Sequence, residues 1–407
     1  MKLLFSTRLW LAVLQLLLVA PALAQEPSLQ KQAPQVRATA YLEEQRKSSG
    51  APAVSVAVAH KGRILFSKGI GFADLDNNVP ATSTTVYNIG SVSKLITAVA
   101  IMKLVEEGKI SLEDPIRKYV PAFPDKGSQI TIRQIMTHTS GIRHYRRADF
   151  PDSLDNENWK PYTSLVEAIK IFKDDPLLFK PDEYYLYSSY AVNLLQGVIE
   201  EVTGMSFEDY LRKNVWSPAA MFSTSLDVPE RIVPHRAKGY MRYQDHLINN
   251  PYGDLTYKFA SGGMISTVED LVRFGVALNR GSLLKRETTA MMYQPQLKTV
   301  LRYQPNGPPI RESFAQGLIW RIQKDMGGRT FAYHCGTVKG FNACLVNYFG
   351  EDLVVAIADN MEAIGFRPAL QFAEFFRSTS PRQNQRSKRR LLFDRPILLS
   401  RPTSKGC

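Results

Sequence analysis

Period-two alternation, the mark of a β-strand, occurs near both ends of this chain and gives way to helical spacing in between. Val54, Val56 and Val58 alternate with Ser55, Ala57 and Ala59, and residues 63–69 read as the returning strand after a Lys61-Gly62 turn. Strand patterns come back at residues 329–335, 341–349 and 353–358, the last two joined by Gly350-Glu351-Asp352. The middle is mainly helical: apolar residues recur at helical spacing over 91–107, 131–137, 190–203, 206–214 and 268–279, with Gly108, Gly204 and Gly281 as stop signals. Residues 30–49 read as a polar helix and 365–376 as a closing one. The economical solution is an α/β (α+β) fold. One antiparallel sheet is built from both chain ends and flanked by the terminal helices, with an inserted helical lobe. A cleft between sheet and lobe is then the natural place for a site.

The 407 residues suit one domain with insertions. Lys2 and Arg8, the apolar run 9–20 and Ala22-Leu23-Ala24 make residues 1–24 a cleavable signal segment, so a periplasmic or secreted protein is expected. No later segment is long and apolar enough to span a membrane. The expected limits are 1–24 for the signal, 25–376 for the folded domain and 377–407 for a basic tail. That tail holds nine Lys/Arg and one Asp, so the net charge of +13 shrinks to about +3 over residues 25–376. Nucleic-acid binding is therefore not expected. The tail reads as a solvated, disordered extension, with weak contact to an anionic surface as the alternative. Cys335 and Cys344 flank an expected hairpin; they read as two separate buried thiols, with pairing as the alternative. The sequence is silent on oligomeric state.

Ser91-Val92-Ser93-Lys94, after Gly90 and opening the first long helical pattern, carries the chemistry. Residues three apart share a helix face, so a hydroxyl meets an amine. Serine needs an adjacent base to act as a nucleophile, and a lysine kept neutral by burial or a neighbouring cation supplies one. The helix N-terminus adds free N–H groups suited to a developing oxyanion. Two further motifs, Tyr187-Ser188-Ser189 and His334-Cys335-Gly336, follow in chain order.

With these three motifs the chain resembles the serine β-lactamase-related hydrolases: penicillin-binding proteins, class C β-lactamases, family VIII esterases and the mitochondrial β-lactamase-like branch. Residues 135–141, Ser261-Gly262-Gly263-Met264 and Gln316-Gly317-Leu318-Ile319-Trp320 match that group in character, and the resemblance covers about 35–376. It implies a β-lactamase/transpeptidase-like fold and an acyl-enzyme on Ser91, with Lys94 as base. It implies further that Tyr187 relays the proton, its phenol acidified by nearby cations, and that the N–H groups of Ser91 and Thr337 form the oxyanion hole. Gly336 would clear the approach of a substrate backbone. Two departures stand out. His334 occupies a position where β-lactamases and peptidases usually carry lysine, and a mostly neutral imidazole weakens the case for penicillins or D-Ala-D-Ala ends. Ser189 stands where asparagine is common; it retains a hydrogen bond to Lys94 or substrate at shorter reach.

His138 reads as structural. His60, His144, His235 and His246 show no metal-ligand spacing, and neither metal nor cofactor is expected. Trp320 and Tyr333 read as core or cleft-wall aromatics. Residues 143–162, 240–257 and 294–316 lack periodicity and read as loops around the cleft mouth. The expectation is an exported serine hydrolase cleaving an ester or amide in a small-molecule or peptide substrate: β-lactam-like, D-amino-acid peptide or small ester. The alternatives are a non-catalytic envelope sensor and a scaffold attached through its basic tail.

Overall fold

The computed structural model describes residues 32–150 and 158–377, so the expected signal segment and all of the tail but Arg377 lie outside the described residues. The backbone of the fold is an antiparallel sheet of eight strands. They are β1 (Ala53–His60), β2 (Arg63–Asp74), β3 (Val79–Pro80), β4 (Ala315–Gln316), β5 (Arg321–Lys324), β6 (Thr330–Val338), β7 (Phe341–Tyr348) and β8 (Leu353–Asp359). Their spatial order is β4-β5-β6-β7-β8-β1-β2-β3. The two chain ends meet where β1 pairs with β8, from Val54 opposite Asp359 to His60 opposite Leu353. The sheet assembled from both ends is thus present, with three more short or edge strands than the alternation reveals.

Alternation on β1 sorts large from small side chains rather than buried from exposed. Val54, Val56 and Val58 face a layer made by α1 (Pro34–Ser49) and α5 (Arg367–Phe376). There Tyr41 meets Phe372 edge-on at 5.1 Å, and Phe66 stacks on Phe376 at 5.7 Å. Ala53, Ala57 and Ala59 face the opposite layer, where α2 (Ser93–Glu106) and α4 (Val268–Asn279) lie. Small side chains on that face let α4 pack close, and a Cβ added at Gly275 would stand 2.6 Å from Val354 Cγ1. Both faces are therefore dry, each buried apolar side chain contributing about 1.5–3 kcal/mol before entropy is counted.

The helical spacing over 91–107 implies a helix with an apolar face. Instead α2 runs through the middle of the lobe with Lys94 to Met102 wholly enclosed, as a helix apolar on all sides must be. Around it pack α3 (Ser189–Thr203) and the short helix Phe207–Leu211, which continues into a wide turn over Arg212–Trp216. Two of the aperiodic segments contain short hairpins: Tyr240–Tyr243 pairs with His246–Asn249, and Leu301–Arg302 with Ile310–Arg311. The first buries Tyr240 and half-buries Met241, Leu247 and Ile248 without alternation, and the second is largely exposed, so no apolar period marks them.

Candidate active site

Ser91 sits in a tight turn, Gly90–Val92, one step before α2 begins. That turn is pinned from several directions. Ser93 Oγ donates to Gly90 O at 2.6 Å and accepts from Met264 N at 3.3 Å, while Ile89 N donates to Met264 O at 3.1 Å. Gly90 takes a left-handed φ of +46°, and a Cβ on it would lie 2.8 Å from Thr337 N. The reciprocal contact is tighter: a Cβ on Gly336 would stand 2.0 Å from Ile89 O and 2.4 Å from Ser91 N. Gly336 thus clears space for the protein's own nucleophile turn, a need that its place in the motif does not reveal. The same contact brings Thr337 N–H beside the Ser91 turn.

Lys94 is wholly buried, and its Nζ has three oxygen neighbours: Ser91 Oγ at 2.9 Å, Ser189 Oγ at 2.9 Å and Ser261 O at 2.6 Å. Burial, and then the charges of Lys258 and Arg321, hold its pKa well below the ordinary lysine value. A neutral amine has two N–H groups and one lone pair. Two N–H groups match Ser189 Oγ and Ser261 O, leaving the lone pair for the Ser91 proton. Ser189 therefore reaches Lys94 despite its short side chain.

Tyr187 lies just before α3, whose cap is Ser188: its Oγ accepts from Ala191 N at 3.0 Å and donates to Arg143 O at 2.8 Å. Two histidines clamp the same segment. His138 Nδ1 accepts from Ser188 N at 3.3 Å, and His144 Nδ1 accepts from Ser189 N at 3.2 Å. Their rings lie 4.6 Å and 5.3 Å from the Tyr187 ring. Burial above all keeps both neutral; His144 is pushed down to about 3. His138 thus has the structural role expected, and His144 shares it without any sequence signal of its own. The Tyr187 hydroxyl bonds Ser91, and Lys94 Nζ lies 4.8 Å from its ring centroid. The expected acidification of this phenol is absent. Burial outweighs the Ser91 hydrogen bond and the pull of Arg321, so its pKa rises.

On β6, His334 is 1% exposed, with Nδ1 2.6 Å from Cys335 O. Nδ1 therefore carries the proton, and Nε2 is a buried acceptor without a partner among the described residues. Burial and then Arg321 depress its pKa well below the usual imidazole range, so it is a neutral group at pH 7. Cys335 and Cys344 stand directly opposite each other on β6 and β7 and form a disulfide, correcting the reading of two separate thiols. With that register, a pair nine residues apart is brought face to face.

Two cations with no motif of their own complete the cavity, which has a volume of about 130 Å³. Arg321 enters from β5, opposite Tyr333, with its guanidinium 5.6 Å from the Tyr187 ring and 4.9 Å from Phe314. Lys258 precedes the Ser261-Gly262-Gly263 triplet and packs against Gly262. Its Nζ lies 5.3 Å and 5.1 Å from the Tyr145 and Tyr257 ring centroids. No carboxylate lines this cavity, and among the described residues Lys94, Lys258 and Arg321 have no acidic partner. Among the described residues there is also no cluster of acid, His or Cys side chains able to hold a metal. All seven expected site residues converge: Ser91, Tyr187, Ser189, His334 and Thr337 on the cavity wall, Lys94 behind Ser91 and Ser189, and Gly336 behind the Ser91 turn.

Known proteins with the same features can be placed against this geometry. The family model described as Beta-lactamase matches residues 38–364. The human mitochondrial serine beta-lactamase-like protein LACTB is 29% identical, over 78% of this chain and 74% of its own length. Penicillin-binding protein 4* of Bacillus subtilis (strain 168) is 26% identical over 76% of this chain and 68% of its own. An octameric penicillin-binding protein homologue from Pyrococcus abyssi superimposes with a TM-score of 0.70 at 26% identity, over 83% of this chain and 75% of that one. The D-amino acid amidase of Ochrobactrum anthropi SV3 has the same fold, with a TM-score of 0.70 at 21% identity over 83% and 98% of the two chains. A match across most of the folded chain, joined to a serine, lysine and tyrosine converging on one cleft, makes this protein a member of the beta-lactamase family of serine hydrolases.

Proposed function

We propose that this chain is an exported serine hydrolase that cleaves an ester or amide through an acyl-enzyme on Ser91. The reading rests on one observation above others: Ser91 Oγ lies 2.9 Å from an amine that is wholly buried, beside two further cations and no carboxylate. An amine in that position is held neutral, and so is a base. Lys94 takes the Ser91 proton as Oγ attacks the substrate carbonyl, and the tetrahedral oxyanion is received by the Ser91 and Thr337 N–H groups. Tyr187, a neutral phenol bonded to Ser91, passes its proton to the departing oxygen or nitrogen and is reprotonated from Lys94. Water then attacks the acyl-enzyme, giving its proton back along the same path as Ser91 is released.

Arg321 supports a substrate with a carboxylate in its leaving half. It is a fixed cation against the Tyr187 ring, on the side where the leaving group is protonated. It thereby offers the charge that neutral His334 lacks, while His334 Nε2 remains to accept a substrate hydrogen bond. That combination suits D-amino-acid peptides, whose leaving residue carries a free carboxylate, and keeps β-lactam-like compounds and small esters in the class to be tested. The solved relatives include a D-amino acid amidase and a D-stereospecific amidohydrolase, in keeping with this class. Export is favoured by the signal-like residues 1–24 and by a disulfide of the kind that persists in oxidising compartments.

A panel of β-lactams, D-Ala-D-Ala peptides and short-chain esters, run on wild type and Ser91→Ala, tests the proposal. Turnover of at least one amide or ester that vanishes in Ser91→Ala is expected; turnover indifferent to that change, or none at all, would refute it. For export, mass spectrometry of the protein purified from its own host should find a chain beginning at Gln25.

A further inference from the structure

Lys258 is not needed for the proton path, yet it has the features of a ligand group. It is 7% exposed, faces the same cavity as Ser91, and among the described residues its Nζ has neither an acidic partner nor a hydrogen-bond acceptor. Among the described residues the faces of Tyr145 and Tyr257 lie against it, and a cation over aromatic rings recovers about 0.5–2 kcal/mol while leaving its N–H donors for a ligand in the cavity. Its charge also helps to depress the pKa of Lys94.

The two unpaired cations lie in different halves of the cleft. Arg321 stands against Tyr185, Tyr187 and Phe314, on the side where Tyr187 protonates the leaving group. Lys258 stands against Tyr145 and Tyr257. Val338 lines both this cavity and a neighbouring one of about 330 Å³, which is also lined by Leu255, whose carbonyl accepts from Lys258 N at 3.0 Å. With Arg321 on the leaving-group side, the half lined by Lys258 is the one left for the acyl group.

Resting on the hydrolase reading above, we infer that Lys258 is the specificity residue of the acyl half, pairing with a carboxylate borne by the acyl group of the substrate a short chain away from the scissile carbonyl. Pairing replaces a compensated but unbonded ammonium with a buried, charge-assisted ion pair. The preferred substrate is then an acid on its acyl side: a half-ester or half-amide of a short dicarboxylic acid, or an acidic acyl amino acid.

Two p-nitrophenyl esters with one leaving group separate the possibilities: the glutarate half-ester, with a free acyl carboxylate, and its methyl ester. Because the leaving group is constant, any effect of Arg321 on that half cancels in the ratio of the two kcat/KM values. In wild type the acid should be preferred about tenfold or more, a typical value for one desolvated charge pair. The preference should fall to about one or below in Lys258→Met, survive in Lys258→Arg and survive in Arg321→Met. A wild-type ratio near one, a ratio unchanged in Lys258→Met, or a ratio lost only in Arg321→Met would overturn the inference while leaving the hydrolase reading intact. Release of nitrophenol from neither ester, with no Ser91-dependent turnover of any other substrate, would instead overturn that reading and this inference together. The wild-type ratio decides even where Lys258→Met folds poorly, because it needs no variant.

Discussion

The chemistry of individual side chains here is governed more by burial than by near neighbours. Lys94 and Tyr187 share one pocket with the same cations, yet one pKa falls and the other rises, because desolvation opposes the charged form of each. That fixes the direction of the pH dependence. Activity requires neutral Lys94, so it is present above the depressed lysine pKa and lost as pH falls through it. Replacing Arg321 or Lys258 by Met removes a repelling charge, raises the Lys94 pKa and should move the acid limb of kcat/KM to higher pH; an unmoved limb would count against their coupling to Lys94. Lys94→Met should cost about 10²–10⁴ in kcat/KM, the usual worth of a positioned base, with far-ultraviolet circular dichroism unchanged. Ser91, Lys94, Tyr187, Ser189, His334, Gly336 and Thr337 were legible because each belongs to a short local motif. Arg321 and Lys258 were not. Arg321 reaches the pocket through the pairing of β5 with β6, and Lys258 through a turn packed against Gly262, relations the linear sequence does not display.

At the level of elements, the site depends on how closely β6 approaches the Ser91 turn. Gly336→Ala would force a methyl into Ile89 O and Ser91 N, pushing Thr337 N–H away from the turn. Loss of one oxyanion donor is worth about 10²–10³ in kcat, and the variant should show that loss without a matching rise in KM. The Cys335–Cys344 bridge holds the same hairpin. A double Cys335→Ala/Cys344→Ala variant should lose about 2 kcal/mol in urea denaturation, at the low end for a bridge because the closed loop is short. The hairpin itself was legible from its alternation. The bridge was not, because pairing depends on register, which the Lys339-Gly340 turn sets and the residue pattern of the two strands leaves open.

At the scale of the whole molecule, the two chain ends make one sheet, and the site lies between that sheet and everything inserted in the chain between them. The arrangement was legible because β1, β2, β6, β7 and β8 alternate strongly. What escaped was the route through the lobe: the spacing over 91–107 marks α2 but not its burial on all sides, and the hairpins at 240–249 and 301–311 carry no alternating buried face to betray them. Since α1 and α5 jointly seal one side of the sheet, truncating Phe372 should be felt globally. Phe372→Ala is expected to cost about 3–5 kcal/mol of unfolding free energy, read from denaturant midpoints. The pairing of a neutral buried lysine with Ser91, on which the whole functional reading depends, is tested most directly by the rate of phosphonylation by a fluorescent phosphonate as a function of pH. The adduct should map to Ser91, form at a rate that rises through a pKa well below 10.5, and slow at least about 100-fold in Lys94→Met. An adduct on another residue, or a rate indifferent to the loss of Lys94, would contradict it.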